Sequence, residues 1–155
     1  MSRNKKTFSI GIIGKGFVGN AVAHGFSHQT GYGADIKIYD VDPEKSQNSL
    51  EETVNGSEFI FLSVPTPADK NGFNDLSIVR KALSDVNVVC NHPDNIILVR
   101  STIVPGTTRS LQKEYPKLRI IYGDNGIKLA KKRFNVVKIT NKILLIYKKL
   151  IYEKK

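Results

Sequence analysis

Short apolar runs alternate with amphipathic stretches through the first 122 residues. Residues 8–13 form an isoleucine-rich run that ends in glycines and reads as a buried strand. Over residues 16–26, Phe17, Val18, Ala21, Val22 and Phe26 recur at helical spacing. Residues 30–33 are a glycine-bearing turn, and residues 36–39 a second strand closed by Asp40. Pro43 suits the first turn of a short helix running to about Leu50. Residues 59–64 predict a third strand, ended by Pro65 and Pro67, which cannot continue a central ladder. A polar loop over 68–73 follows. Asn74 or Asp75 then caps a helix whose apolar positions are Leu76, Val79, Leu83 and Val86. Residues 96–99 are a fourth strand. Pro105 and Gly106 turn the chain into a helix over about 107–114, and residues 118–122 are a fifth strand. This alternation predicts the α/β class: βαβ units with right-handed crossovers, forming a doubly wound parallel sheet with helices on both faces.

The pattern weakens after Tyr122. Residues 123–155 are rich in lysine and isoleucine and contain no proline. Val137, Thr140, Ile143, Leu144, Tyr147 and Leu150 fit one helix face, while residues 143–147 read equally as a strand. The division is therefore into residues 1–122 and a basic tail, 123–155. Charge follows the same division. Residues 1–122 hold 14 Lys and Arg against 12 Asp and Glu, and residues 123–155 hold 10 against 2. The overall +10 thus belongs mainly to the last fifth of the chain. A charge run of this kind is more often a solvated tail than a nucleic-acid surface, and binding to nucleic acid or to an anionic membrane is the lesser reading. No apolar run is long enough to span a bilayer, and the N-terminus is polar. The single cysteine, Cys90, excludes an intramolecular disulfide and fits a reducing, cytoplasmic setting.

Candidate chemistry starts at Gly14-Lys15-Gly16-Phe17-Val18-Gly19, a G-x-G-x-x-G motif. It follows one predicted strand, opens a predicted helix, and precedes by 21 residues the Asp40 that ends the second strand. The whole arrangement is the dinucleotide-binding fingerprint of a Rossmann-type domain. Gly14 permits the tight turn, Gly16 lets a pyrophosphate approach the backbone, and Gly19 lets helix pack on strand. The helix N-terminus offers N–H groups and a positive dipole end to phosphates. Asp40 accepts from adenosine ribose hydroxyls and, with Asp42, repels a 2′-phosphate. The expected cofactor is therefore NAD rather than NADP.

Two further segments extend the likeness: Phe61-Leu62-Ser63-Val64-Pro65-Thr66-Pro67 with Asn71-Gly72-Phe73-Asn74-Asp75-Leu76-Ser77, and Arg100-Ser101-Thr102-Ile103-Val104-Pro105-Gly106-Thr107-Thr108. With the glycine motif and Asp40, they resemble the N-terminal domain of the UDP-glucose/GDP-mannose dehydrogenase family over about residues 8–122. The resemblance implies that Val64, Pro65 and Thr66 border the nicotinamide-side ribose and that Ser101 contacts the cofactor. It also implies that Thr102 helps order a water or substrate oxygen near the reaction centre. The alternative for Ser101 and Thr102 is a turn that satisfies its own backbone.

The family oxidises a sugar C6 alcohol to a carboxylate with two NAD, through a thiohemiacetal and thioester on a cysteine. The required cysteine, lysine, asparagine and aspartate come from beyond the cofactor domain, and a glutamate comes from an Asn-Pro-Glu-Phe-Leu motif after the fifth strand. Here Arg119-Ile120-Ile121-Tyr122 is followed by Gly123-Asp124-Asn125-Gly126-Ile127-Lys128. Cys90, near a helix end after Val86, Val88 and Val89, reads as a small packed hydrophobe. His24 and His28, four apart on a predicted helix, lack a third metal ligand and read as surface histidines.

The leading expectation is a truncated or frameshifted dehydrogenase chain, incomplete for catalysis alone. It would take a UDP-sugar only if the missing domain is supplied, and would self-associate through exposed apolar surface. The alternatives are a stand-alone dinucleotide-binding module and a basic interaction protein without catalysis.

Overall fold

Five strands and four α-helices alternate along the computed structural model, which describes residues 8–70, 72–92 and 94–121. The order is β1 (Ser9–Ile13), α1 (Phe17–Phe26), a 3-10 turn (His28–Thr30), β2 (Asp35–Tyr39), α2 (Leu50–Asn55), β3 (Phe59–Leu62), α3 (Ser77–Val89), β4 (Ile96–Val99), α4 (Thr107–Glu114) and β5 (Arg119–Ile121). The helix face from Val137 to Leu150, or the strand over 143–147, expected in the tail lies outside the described residues.

All five strands are parallel, in the order β2-β1-β3-β4-β5. From β1 the chain first winds outward to β2, then crosses back to place β3 on the other side of β1. That reversal opens a crevice at the carboxyl edge between β2, β1 and β3, the place where ligands bind in open α/β sheets. Alternation along each strand divides the core in two. Ile10, Ile12 and Ile38 pack with Val22, Ala23 and Phe26 of α1 on one face. Ile60, Leu62, Ile97, Val99 and Ile120 meet Val54 of α2, Val79, Leu83 and Val86 of α3, and Leu111 of α4 on the other. Helices thus cover both faces, as the alternating pattern predicts.

One helix is displaced from its predicted place. Residues 43–45 make only a turn, in which Asp42 O accepts from Lys45 N at 3.0 Å and Ser46 N at 3.1 Å. The helix begins at Leu50, where Ser49 and Glu52 form a capping box: Glu52 N–H donates to Ser49 Oγ at 3.1 Å and Ser49 N–H to Glu52 Oε2 at 2.8 Å. Those two bonds are the reciprocal pair of a capping box; at the Pro43 turn Asp42 Oδ1 accepts the Glu44 N–H at 3.1 Å, but no helix follows. Neither Asn74 nor Asp75 stands at the N-cap of α3, which is Leu76 and has no side-chain cap bond; Asp75, one place earlier, accepts the Ser77 N–H at 2.8 Å. Asn74 instead donates through Nδ2 to Thr102 O, also at 2.8 Å.

Candidate dinucleotide site

The tight turn after β1 is built from the glycines of the motif. Gly14 has φ +94°, and a Cβ there would lie 2.5 Å from Ser63 O. A Cβ on Gly19 would overlap the Gly14 carbonyl, so its absence lets α1 dock on the turn. Gly16 differs: a Cβ there would meet nothing within 4 Å. Packing of the protein leaves that space free, and Gly16 caps α1 without a side-chain hydrogen bond. The start of α1 therefore keeps its positive end for an anion, whereas the Asp75 carboxylate already answers the start of α3. Ser63 Oγ, buried where β3 ends beside Gly14, has no hydrogen-bond partner.

A cleft of about 610 Å³ opens over this turn at the carboxyl edge. Gly14, Gly16, Phe17 and Val18 form one side, and Tyr39, Asp40, Val41 and Lys45 after β2 another. Ser63, Val64 and Pro65 after β3 border it too, and Ser77, Ile78, Lys81, Ala82 and Asp85 along α3 close it. Large apolar side chains stand open at its mouth: Phe17 is 93 % exposed and Val41 85 %. Flat apolar walls around a bare helix start suit a ligand that joins aromatic rings through phosphates.

Asp40 sits at this cleft with both carboxylate oxygens engaged. Oδ2 accepts the Lys15 N–H at 2.6 Å and Oδ1 the Asp42 N–H at 2.9 Å. Asp42 pairs with Lys45 at 2.6 Å, and that hydrogen bond holds the Asp42 carboxyl below its ordinary range and the Lys45 ammonium above its own.

Of the residues singled out from sequence, Gly14, Gly16, Phe17, Val18, Asp40, Val64 and Pro65 meet at the cleft. Lys15 contributes its backbone N–H to Asp40, and Gly19 lies beneath Gly14. Thr66 and Thr102 are not among the lining residues, and Thr102 is exposed. Ser101 is buried behind Val64, donating to its carbonyl at 2.7 Å and accepting its N–H at 3.0 Å. Its hydroxyl serves backbone, as the alternative reading of this turn allows, but the backbone belongs to β3's loop rather than to its own.

Lys45, Leu50, Ser63 and the α3 face were not singled out as site residues. The signal for α3 was available: Ile78, Ala82 and Asp85 each stand one position before the core row Val79, Leu83 and Val86. Cys90 lies at the other end of α3, where its thiol donates to the His92 carbonyl at 3.4 Å and its side chain packs on the core. Among the described residues, no helix is long and apolar enough to cross a membrane.

Comparison with known proteins agrees with this geometry. Residues 45–138 match the UDP-glucose/GDP-mannose dehydrogenase family, NAD binding domain. The match runs past Tyr122, so likeness to the family is not confined to the residues before 123. Protein CapL of Staphylococcus aureus is 33% identical over 129 residues, covering 70% of this chain and 29% of CapL. Among solved structures, a UDP-glucose dehydrogenase from the hyperthermophilic archaeon Pyrobaculum islandicum superposes with a TM-score of 0.62 at 23% identity, covering 79% of this chain and 36% of that one. The GDP-mannose dehydrogenase of Pseudomonas aeruginosa gives 0.57 at 20% identity, covering 73% and 34%. The chain thus spans about a third of the length of these relatives. With the order of its strands, its glycine turn and this match in agreement, the chain belongs to the UDP-glucose/GDP-mannose dehydrogenase family and carries its NAD-binding domain.

Proposed function

We propose that this chain binds NAD in the cleft at the carboxyl edge, as the cofactor-binding part of a nucleotide-sugar dehydrogenase of the UDP-glucose 6 type. The observation that carries the reading is the free space over Gly16 at the uncapped start of α1. Of the three motif glycines, Gly16 alone has open space where its Cβ would lie, and that space borders the cleft, which fits close approach of a pyrophosphate. Asp40, with lone pairs left beyond its two backbone bonds, takes the adenosine ribose hydroxyls. Val41, Leu50, Ile78 and Ala82 offer apolar surface to the adenine. Val64, Pro65 and Thr66 border the nicotinamide-side ribose. Ser101 serves the cofactor by holding Val64, and Thr102 takes the supporting place near the reaction centre that the family resemblance implies. NAD supplies the hydride acceptor.

Asp40 and Asp42 outnumber Lys45 in charge, which disfavours a 2′-phosphate. The chain's single cysteine is at the far end of α3 from the cleft mouth, so its own residues place no thiol at the reaction centre. We therefore place the UDP-sugar, and the cysteine chemistry that oxidises it, with a further domain rather than with residues 8–121.

Calorimetric titration tests this reading. NAD is expected to bind and NADP to bind at least about tenfold more weakly. The chain alone is expected to leave NAD unreduced when UDP-glucose is added. Equal or tighter binding of NADP would remove the role given to Asp40. Steady NADH formation by the chain alone would overturn the assignment of the sugar chemistry to another domain.

A further inference from the structure

The Asp40 carboxylate does more than face the cleft. Its Oδ2 receives the N–H of Lys15, 25 residues earlier, at 2.6 Å. Beside that bond, Gly14 N–H donates to Tyr39 O at 2.9 Å. Two consecutive residues of the phosphate turn are thus hung on two consecutive residues at the end of β2. Asp40 is itself held on both sides: its N–H donates to Ser46 Oγ at 3.1 Å, and its Oδ1 accepts the Asp42 N–H at 2.9 Å. A bond from a backbone N–H to an ionised carboxylate is among the stronger hydrogen bonds.

We propose that Asp40 is a positioning residue for the anion cradle. By fixing the peptide plane between Gly14 and Lys15, it sets the direction in which the chain enters α1 at Gly16. The carboxylate keeps two of its four lone-pair positions, so the same group holds the turn and still accepts ribose hydroxyls. This inference rests on the NAD reading above and adds to it: binding of the phosphates depends on Asp40 even where no ribose hydroxyl is present.

Charge alone predicts the opposite. A carboxylate next to an anion site repels the anion, so neutralising it should tighten phosphate binding if Asp40 did nothing else there. A loss of affinity on neutralisation therefore marks the positioning role.

The test uses the full chain, its Asp40→Asn variant, NAD, and an NAD analogue lacking both hydroxyls of the adenosine ribose. In the cofactor-free wild type, the Lys15 amide is expected to be protected from hydrogen exchange, and Asp40→Asn is expected to lower that protection about tenfold. The analogue is expected to bind Asp40→Asn about tenfold more weakly than the wild type. Analogue binding that is unchanged or tighter in the variant would overturn the proposal and leave Asp40 a reader of ribose only. A freely exchanging Lys15 amide in the wild type would overturn it as well, even if the variant did not fold. Failure of the wild type to bind NAD would remove the cofactor reading and this proposal together. Failure confined to the analogue comparison would remove this proposal alone.

Discussion

The Ser101 hydroxyl grips both backbone groups of Val64, donating to its carbonyl at 2.7 Å and accepting its N–H at 3.0 Å. A side chain from the loop after β4 thereby extends the β3–β4 pairing past Leu62–Val99, where the strands end. It fixes the segment that leads into Pro65 at the cleft. Replacing Ser101 with Ala leaves two partly buried backbone groups unpaired. The expected cost is about 1–3 kcal/mol in urea unfolding, with a weaker affinity for NAD as Val64 loosens. Unchanged stability would show that water replaces the hydroxyl without loss.

The glycines of the motif should separate by mechanism. Gly16→Val meets open space and extended backbone, so its melting temperature should stay near that of the wild type while NAD binding is lost. Gly19→Ala drives a Cβ into the Gly14 carbonyl, so the fold itself should weaken by about 1–3 kcal/mol or more. A Gly16→Val protein that melted early yet bound NAD normally would reverse the two assignments.

Acid should weaken the protein partly through α2. Glu52 is held below the ordinary glutamate range by its hydrogen bonds with the Ser49 backbone and hydroxyl. The folded chain keeps this carboxylate ionised at pH values where the unfolded chain has already taken up the proton. Its stabilising effect is thus complete above the ordinary glutamate range and is lost as pH falls through that range and below it. Glu52→Gln keeps a hydrogen-bonding partner for the cap but cannot titrate. In melts from neutral pH to pH 3, the gap between wild type and variant should shrink as pH falls. A gap that stayed constant with pH would mean that the Glu52 charge plays no part.

Much of this architecture was legible in the chain because it depends on neighbours in sequence. The apolar runs at β1, β3 and β4, the Pro105-Gly106 entry to α4, and the glycine turn with Asp40 all appear at or near their predicted places. What was missed depends on contacts between distant residues or on choices between competing local signals. Pro43 predicts a helix start six residues before Ser49, where the Ser49-x-x-Glu52 box makes the reciprocal pair of cap bonds and the helix begins. The family resemblance implies that Ser101 contacts the cofactor, with a backbone-satisfying turn as the alternative. Sequence carries no sign that Val64, 37 residues away, would occupy its hydroxyl. The cleft face of α3 is present in the sequence as Ile78, Ala82 and Asp85 beside the core row, but only the residues after β2 and Leu50 of α2, distant in sequence, turn it into a wall of the cleft.

The most direct measurement is an amide-resolved NMR titration of the full chain with NAD. Perturbations should concentrate at Gly14 to Val18, at Tyr39 to Asp42, at Ser63 and Val64, and along the Ile78 and Ala82 face of α3. Cys90 to His92, Asp94 and Asn95, before the start of β4, should stay unchanged. Saturable shifts in that pattern are the result the account predicts. Shifts centred on the amino edge, or no saturable shift at all, would contradict it.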